Sequence, residues 1–292
     1  MSKNIILTFD VEEWYHTSFM GKYIPRELYN VKRIDTNINY PLELLEKYEI
    51  PSTFFVLGEL AKTNKKIVKR IKEANGVHEI ASHSFMHELI FEKSPKEIRK
   101  NIIDSQRILE DQSREKVEGF RAPYFSINNE AIEALNETGY KYDSSLHDFR
   151  LNPQYGHITL PMQSTPSPGV FTYKKVVEIT VPVKRYFKFL KFPFGGGGYF
   201  RLYPLRLQLH WINSFLKSSD YFIMYMHPWE FDPEQPYIKE VPFIPRNRHY
   251  LGLKNQYSKV DALLGKLLKK GYKFTTVRDY LQEHSYFKQS SN

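Results

Sequence analysis

The chain has 292 residues, 41% hydrophobic and 26% charged, a balance that excludes intrinsic disorder and leaves length for a large core. It holds no cysteine, which excludes disulfides, thiolate metal ligands and a cysteine nucleophile. Forty-two Lys and Arg against 33 Asp and Glu give a formal charge of +9, which suits a Lys-rich surface or attraction to anionic lipid, phosphate or acidic glycan; no basic block, zinc knuckle or RNA-binding signature points to nucleic acid.

The apolar run 5–9 follows the first four residues directly and reads as a buried strand. It is too short for a signal peptide or a membrane span, so a cytoplasmic location is expected unless a leader has been removed. The acidic cluster Asp10-Val11-Glu12-Glu13 ends that run. A helix over 41–48 tolerates Pro41 in its first turn. A strand follows at 52–57, then a helix over 61–74 with Ile67, Val68 and Ile71 at helical spacing. The strand 79–82 leads into His83 and His87, two imidazoles four positions apart that one helical turn would bring to the same side. Ser94-Pro95-Lys96-Glu97 has the form of a capping box and opens a helix to about 111. The stretch 117–121 is strand-like, 128–138 helical and 140–143 strand-like again.

From 152 to 200 the pattern becomes irregular, with Pro161, Pro166, Pro168, Pro182 and Pro193 interrupting short β runs such as 176–181. The run Gly195-Gly196-Gly197-Gly198 lacks the Gly-Lys-Ser/Thr of a nucleotide loop and suits a tight loop lining a sugar cleft. Helix 205–216, strand 221–226, helix 260–268, strand 272–275 and a last short helix complete one expected domain over 1–284, with 285–292 as a tail. Residues 30–36 and 231–250 are expected as rim loops. Strand–helix alternation predicts parallel strands with crossover helices, and the chemically loaded residues all stand just after strands, at the C-terminal rim of a (β/α) barrel.

Thr8-Phe9-Asp10-Val11-Glu12, Ser82-His83-Ser84-Phe85-Met86-His87, Arg121-Ala122-Pro123-Tyr124 and Met226-His227 occur in the order of the motifs of the NodB-homology polysaccharide deacetylases, carbohydrate esterase family 4. The resemblance runs from about residue 5 to 283. The later Phe194-Gly195-Gly196-Gly197-Gly198-Tyr199-Phe200-Arg201, the stretch from His227-Pro228-Trp229 to Pro236, and Arg248-His249-Tyr250 resemble a subgroup with a C-terminal extension associated with exopolysaccharide synthesis.

The resemblance implies an α/β fold, a distorted (β/α) barrel with an irregular and β insertion, and metal-dependent removal of an N-acetyl group from an amino sugar. It implies Asp10 as catalytic base, His83 and His87 as metal ligands, Arg121 as the cation that orients the base, the Tyr124 backbone N–H as oxyanion donor and His227 as catalytic acid. Asp143 is the expected acidic partner of His227. One departure concerns the metal carboxylate. The common pattern has two adjacent aspartates, whereas Val11 separates Asp10 from Glu12 here. Alternate strand residues share a face, so Glu12 is assigned as third ligand while Val11 enters the core and Glu13 faces away.

The expected cofactor is one divalent ion, zinc before cobalt, nickel or iron. The expected partner is an N-acetylated glycan or lipid-linked sugar, with peripheral contact to an anionic membrane surface. Trp14, Tyr124, Tyr199 and Trp229 read either as core aromatics or as rim platforms for sugar rings. His78, His147, His157, His210 and His284 carry no assigned role, and His249 beside Arg248 is a candidate for substrate contact. Two other functions fit the same residues: hydrolysis of a C–N bond in a small cyclic amide or imide, and glycan binding without catalysis.

Overall fold

The structure, a computed structural model, describes residues 3–17, 20–147, 149, 152–186 and 190–287. Its strands are β1 (Asn4–Val11), β2 (Thr53–Val56), β3 (Glu79–Ser82), β4 (Gly119–Phe120), β5 (Tyr142–Asp143), β6 (Gln163–Ser164), β7 (Val170–Tyr173), β8 (Val176–Ile179), β9 (Val183–Tyr186), β10 (Leu190–Pro193), β11 (Tyr221–Met226) and β12 (Lys273–Thr275). Seven of them pair in parallel in the order β11-β1-β2-β3-β4-β5-β8. β12 pairs with the lower part of β1. β7 and β6 extend the β8 edge antiparallel, and β9–β10 is a separate antiparallel hairpin.

The sheet curls towards closure without a continuous last ladder. The Tyr221 hydroxyl on β11 donates to the Gly169 carbonyl at 3.0 Å and the Thr180 carbonyl at 3.2 Å, next to β7 and β8. Above it, Tyr225 donates its backbone N–H to Gly195 at 2.8 Å, and Gly196 bridges to Tyr225. A Cβ on Gly196 would lie 1.8 Å from the Tyr225 carbonyl oxygen, so only glycine allows that approach. The result is a distorted (β/α) barrel, as expected. The Gly run is not an open loop: it seals the barrel and then starts the helix Gly197–Leu202.

Strand alternation sorts the side chains into two layers. Leu7, Phe9 and Val11 of β1 join Phe54 and Ile80 in the cluster under the helices, while Ile6 joins Phe55, Ala81 and Tyr142 in the barrel interior. Continuous burial of β1, β2 and β11 explains why they read as apolar runs without period. Burying a Phe such as Phe9 contributes about 2–3 kcal/mol. Positions 8, 10 and 12 share the parity of Ile6, which aims Asp10 and Glu12 into the barrel mouth.

Some elements differ from the sequence reading. The helix expected over 61–74 is two, Gly58–Thr63 and Ile67–Glu73. The Asn64 side chain accepts from the Lys66 backbone N–H at 3.2 Å, a local turn that wins over the apolar period. The stretch 231–250 is not all loop, since its end forms the helix Phe243–Tyr250. The last long helix starts earlier than expected, at Leu253. Ser94 and Glu97 make the expected reciprocal cap of Pro95–Ser113. In the tail, the Tyr286 hydroxyl accepts from the Ser167 backbone N–H at 3.3 Å; residues 288–292 lie outside the described residues.

Candidate metal and catalytic centre

The register Phe9↔Met226, Val56↔Ser82, Ser82↔Phe120 and Phe120↔Asp143 brings the strand ends to one edge. The residues just past those ends therefore meet. Glu12, His83 and His87 offer ligand atoms that all lie within 4.8 Å of one another. Glu12 Oε2 is 2.5 Å from His87 Nε2 and 3.8 Å from His83 Nε2. His83 Nδ1 lies 2.9 Å from the Arg121 carbonyl. A carbonyl only accepts, so Nδ1 carries the proton and Nε2 keeps its lone pair for a ligand. Glu12 Oε2 is buried without a hydrogen-bond donor in good geometry, a condition that a shared cation relieves. Burial raises the Glu12 carboxyl, but the neighbouring His87 and His227 imidazoles outweigh it and hold Glu12 well below the usual range. A buried two-His, one-carboxylate set of this kind fits a divalent transition ion.

His83 and His87 do not share a helical turn. The segment after β3 bends, with Ser84 at φ 66°, and the bend brings the imidazoles 5.5 Å apart centre to centre. Gly58 and Glu59 bind the carbonyls of Ser84 and Phe85 and hold that bend.

Asp10 stands beside this cluster. Arg121, fully buried, donates to Asp10 Oδ1 at 2.7 Å and to Thr8 Oγ1 at 2.8 Å. Its other nitrogens donate to the Ser144 carbonyl at 3.0 Å and the Ser144 hydroxyl at 3.1 Å. Four acceptors fix the guanidinium, and it in turn fixes one oxygen of Asp10, leaving Oδ2 facing His227 Nε2 at 3.9 Å. Glu13 turns away, as expected, and its carboxylate accepts from the backbone N–H groups of Arg33 and Ile34.

His227 closes the far side. Its Nε2 is 3.6 Å from Glu12 Oε1, and its Nδ1 donates to Glu230 Oε1 at 2.6 Å. Burial lowers its pKa, but Glu12, Glu230 and Asp10 together overcome that and push it up to about 9. Glu230 is itself paired with the buried Arg201, whose remaining N–H groups donate to the carbonyls of Arg248, His249 and Leu251.

This arrangement corrects the expected role of Asp143. The acid on His227 Nδ1 is Glu230. Asp143 turns instead to Ser145, accepting from its hydroxyl at 2.5 Å, and burial beside Glu178 raises both carboxyls. Ser145 in turn accepts from the Ala122 N–H at 2.8 Å, so Asp143 supports the turn under Arg121.

The aromatics divide. Trp14 is a core residue: it is fully buried, and its indole N–H donates to the Val31 carbonyl at 2.9 Å. Trp229 is 4% exposed, stacks with His227 and His249 at 5.2 and 4.9 Å between centroids, and donates to Glu12 Oε1 at 3.1 Å. It therefore orients the site, and it lines the cavity. His249 is likewise buried, with its Nε2 2.6 Å from Gln235 Oε1, and does not reach substrate directly. Tyr124 and Tyr199 line the same cavity. Tyr124 sits at φ 55°, ψ 14° with its ring edge-on to His87, and Tyr199 carries the Arg248 guanidinium 4.4 Å above its ring.

Sequence reading passed over two members of the site. His16 is half-buried, stacks on His87 at 4.9 Å, and has a pKa pushed down to about 3, chiefly by desolvation. Its one signal was its position four residues past Glu12, on the turn after β1. Glu230 had a local signal too, three residues past His227 with Pro at the first helical position, the spacing of a cap.

Comparison with known proteins agrees with this fold. The family model "Polysaccharide deacetylase" matches residues 2–142, and a domain of unknown function, DUF3473, matches residues 144–282. A peptidoglycan deacetylase of Helicobacter pylori is 27% identical over 163 residues, covering 53% of this chain and 54% of the relative. The peptidoglycan-N-acetylmuramic acid deacetylase PdaC of Bacillus subtilis is 38% identical over 113 residues, 38% of this chain and 24% of the relative. The chain thus spans about half or less of the length of these relatives. Among solved structures, a polysaccharide deacetylase-like protein from Mycobacterium smegmatis superposes with a TM-score of 0.64 at 17% identity, covering 98% of this chain and 91% of the other. A family 4 pseudoenzyme from Bacillus anthracis superposes with a TM-score of 0.55 at 18% identity, covering 97% of this chain and 66% of the other. At such identities the likeness establishes the fold alone.

Proposed function

The chain belongs, through residues 2–142, to the polysaccharide deacetylase family, and from that membership we propose that it hydrolyses the N-acetyl group of an N-acetylhexosamine unit in a glycan or glycan precursor, a lipid-linked sugar included. The observation that carries the reading is the meeting of three sets of groups in one buried mouth: the Glu12, His83 and His87 donors, the Arg121-held Asp10, and the Glu230-held His227. Glu12, His83 and His87 would hold the ion, with zinc the first choice for two imidazoles and a carboxylate, and cobalt, nickel or iron compatible. When bound, such an ion lowers the pKa of a coordinated water and polarises the acetamide carbonyl.

The chain's own groups handle the protons. Asp10 takes the proton of the attacking water on Oδ2, because Arg121 occupies Oδ1 and holds the carboxylate in place. The Tyr124 N–H, on its left-handed turn, is the candidate donor to the developing oxyanion. His227, whose pKa the carboxylates around it raise, gives its Nε2 proton to the leaving amine while its Nδ1–H stays hydrogen-bonded to Glu230. The products are acetate and a free amino sugar.

The test is to load the purified chain with zinc, confirm the metal content, and measure acetate released from N-acetylglucosamine oligomers and peptidoglycan fragments. Release that disappears in Asp10→Asn supports the reading. Loaded protein that releases acetate from none of these substrates, nor from a lipid-linked N-acetyl sugar, overturns it.

A further inference from the structure

Apart from Val77, the most exposed large apolar side chains among the described residues gather on one segment outside the catalytic mouth. Phe243 and Ile244 are 70% and 79% exposed, Tyr237 is 59% and Leu251 is 58%. Phe243 and Ile244 open the helix Phe243–Tyr250, and Leu251 is its C-cap. Ile244, Arg248 and Leu251 are spaced i, i+4 and i+7, so they share one helix face. Arg201 ties the Leu251 carbonyl down at 3.3 Å, and the next residue, Leu202, is 42% exposed. The apolar stripe therefore runs along the rim of the cavity that Arg248 and Tyr199 line.

The charge around it has one sign. From 237 to 254 the chain carries Lys239, Arg246, Arg248 and Lys254 against a single acid, Glu240. Arg246 folds over the Tyr237 ring at 5.8 Å and donates to the Lys239 carbonyl, which keeps a cation beside the exposed ring. A bulky apolar tip bordered by cations matches the headgroup and acyl boundary of an anionic bilayer: Phe and Ile enter the apolar layer, and Lys and Arg meet lipid phosphates. A protein–protein contact core, by contrast, is depleted in lysine.

We propose that the helix Phe243–Tyr250 with Leu251 docks this protein on an anionic lipid surface, with the mouth of the cavity at the membrane. Docking there would present the site to sugars carried on lipid, and it stands independently of the reaction, since vesicle binding needs no turnover.

The experiment is co-sedimentation of the full chain with vesicles of phosphatidylcholine alone and of phosphatidylcholine mixed with phosphatidylglycerol, at low and high salt. Binding to the mixed vesicles is expected, weakening with salt. Phe243→Ser combined with Ile244→Ser should weaken it about tenfold or more, with unchanged thermal stability and unchanged acetate release from a soluble oligosaccharide. Lys239→Gln with Lys254→Gln should weaken binding to the mixed vesicles and leave the residual binding less sensitive to salt. No binding to either vesicle, or equal binding by wild type and the Phe243/Ile244 variant, overturns the proposal. So does a dimer in sedimentation equilibrium that the same two substitutions dissolve, which would make a second copy the occupant.

Discussion

The two halves of this chain build the same site by different physics. The half matched as polysaccharide deacetylase contributes Asp10, Glu12, His83 and Arg121, each one residue from a strand end, and His87, five residues past β3 on the bend at Ser84. Their positions follow from backbone registers that a parallel ladder fixes wherever both faces are buried. The half from 144 to 282 contributes His227 from β11, but what defines its chemistry is a buried chain of charge, Arg201 to Glu230 to His227, with Trp229 and His249 packed on it. The first half sets where groups stand; the second sets which of them carry protons. The Bacillus anthracis pseudoenzyme, with its TM-score of 0.55, has the same fold.

Substituting the base should give the largest effect. Asp10→Asn keeps a hydrogen-bond acceptor for Arg121 but loses the basic oxygen, and acetate release should fall about a thousandfold. Metal content measured by emission spectroscopy should stay unchanged, since Asp10 lies outside the ligand set. His83→Ala should instead lose the metal and the activity together. Equal metal loss in both variants would make Asp10 a ligand and erase the division of labour on β1.

The next effect tests the second half. Glu230→Gln strands the buried Arg201 charge, at a cost to stability of about 3–5 kcal/mol, and lowers activity of the folded enzyme about ten- to a hundredfold. His227 acts as an acid, so activity falls as pH rises through its pKa. Removing a carboxylate that raises that pKa should move the alkaline limb of the pH–rate profile to lower pH. Asp143→Asn should leave that limb where it is, because Asp143 bonds Ser145. A shift with Asp143→Asn and none with Glu230→Gln would restore Asp143 as the partner.

That pair of carboxylates also shows what was legible in the chain before folding. The strands at 5–9, 52–57 and 221–226 could be read because burial on both faces leaves mostly apolar runs. Asp10 and Glu12 could be read as co-facial from strand alternation alone. Asp143 looked right because it ends a strand; the competing Glu230 sits on a short helical turn, and its counter-ion Arg201 is 29 residues away, a contact that no local period encodes. Trp14 and Trp229 follow strand ends just as rim platforms would. Only the tertiary contacts to Val31 and Glu12 show that one is core and the other a brace. His16 stacks on His87 across 71 positions, and nothing around it in the chain points to that contact.

The smallest effect compares the halves on equal terms, through one buried neutral histidine in each. His78, before β3, has a pKa pushed down to about 4, chiefly by burial, and His249 one pushed down to about 3, again chiefly by burial. For a histidine whose folded pKa lies below its unfolded value of about 6.5, the unfolded chain binds the extra proton, so stability is complete above that value and is lost as pH falls. Each should lose about 2 kcal/mol between pH 6.5 and pH 5. Below about pH 4 the His78 contribution should level off while that of His249 continues to fall, because its folded pKa is lower. Urea melts of His78→Phe and His249→Gln over this range would show it: each variant should have a shallower acid slope than wild type, whatever its stability at neutral pH. Identical slopes in variant and wild type would mean that the ring is already charged in the fold, and that the packing around Trp229 tolerates a cation.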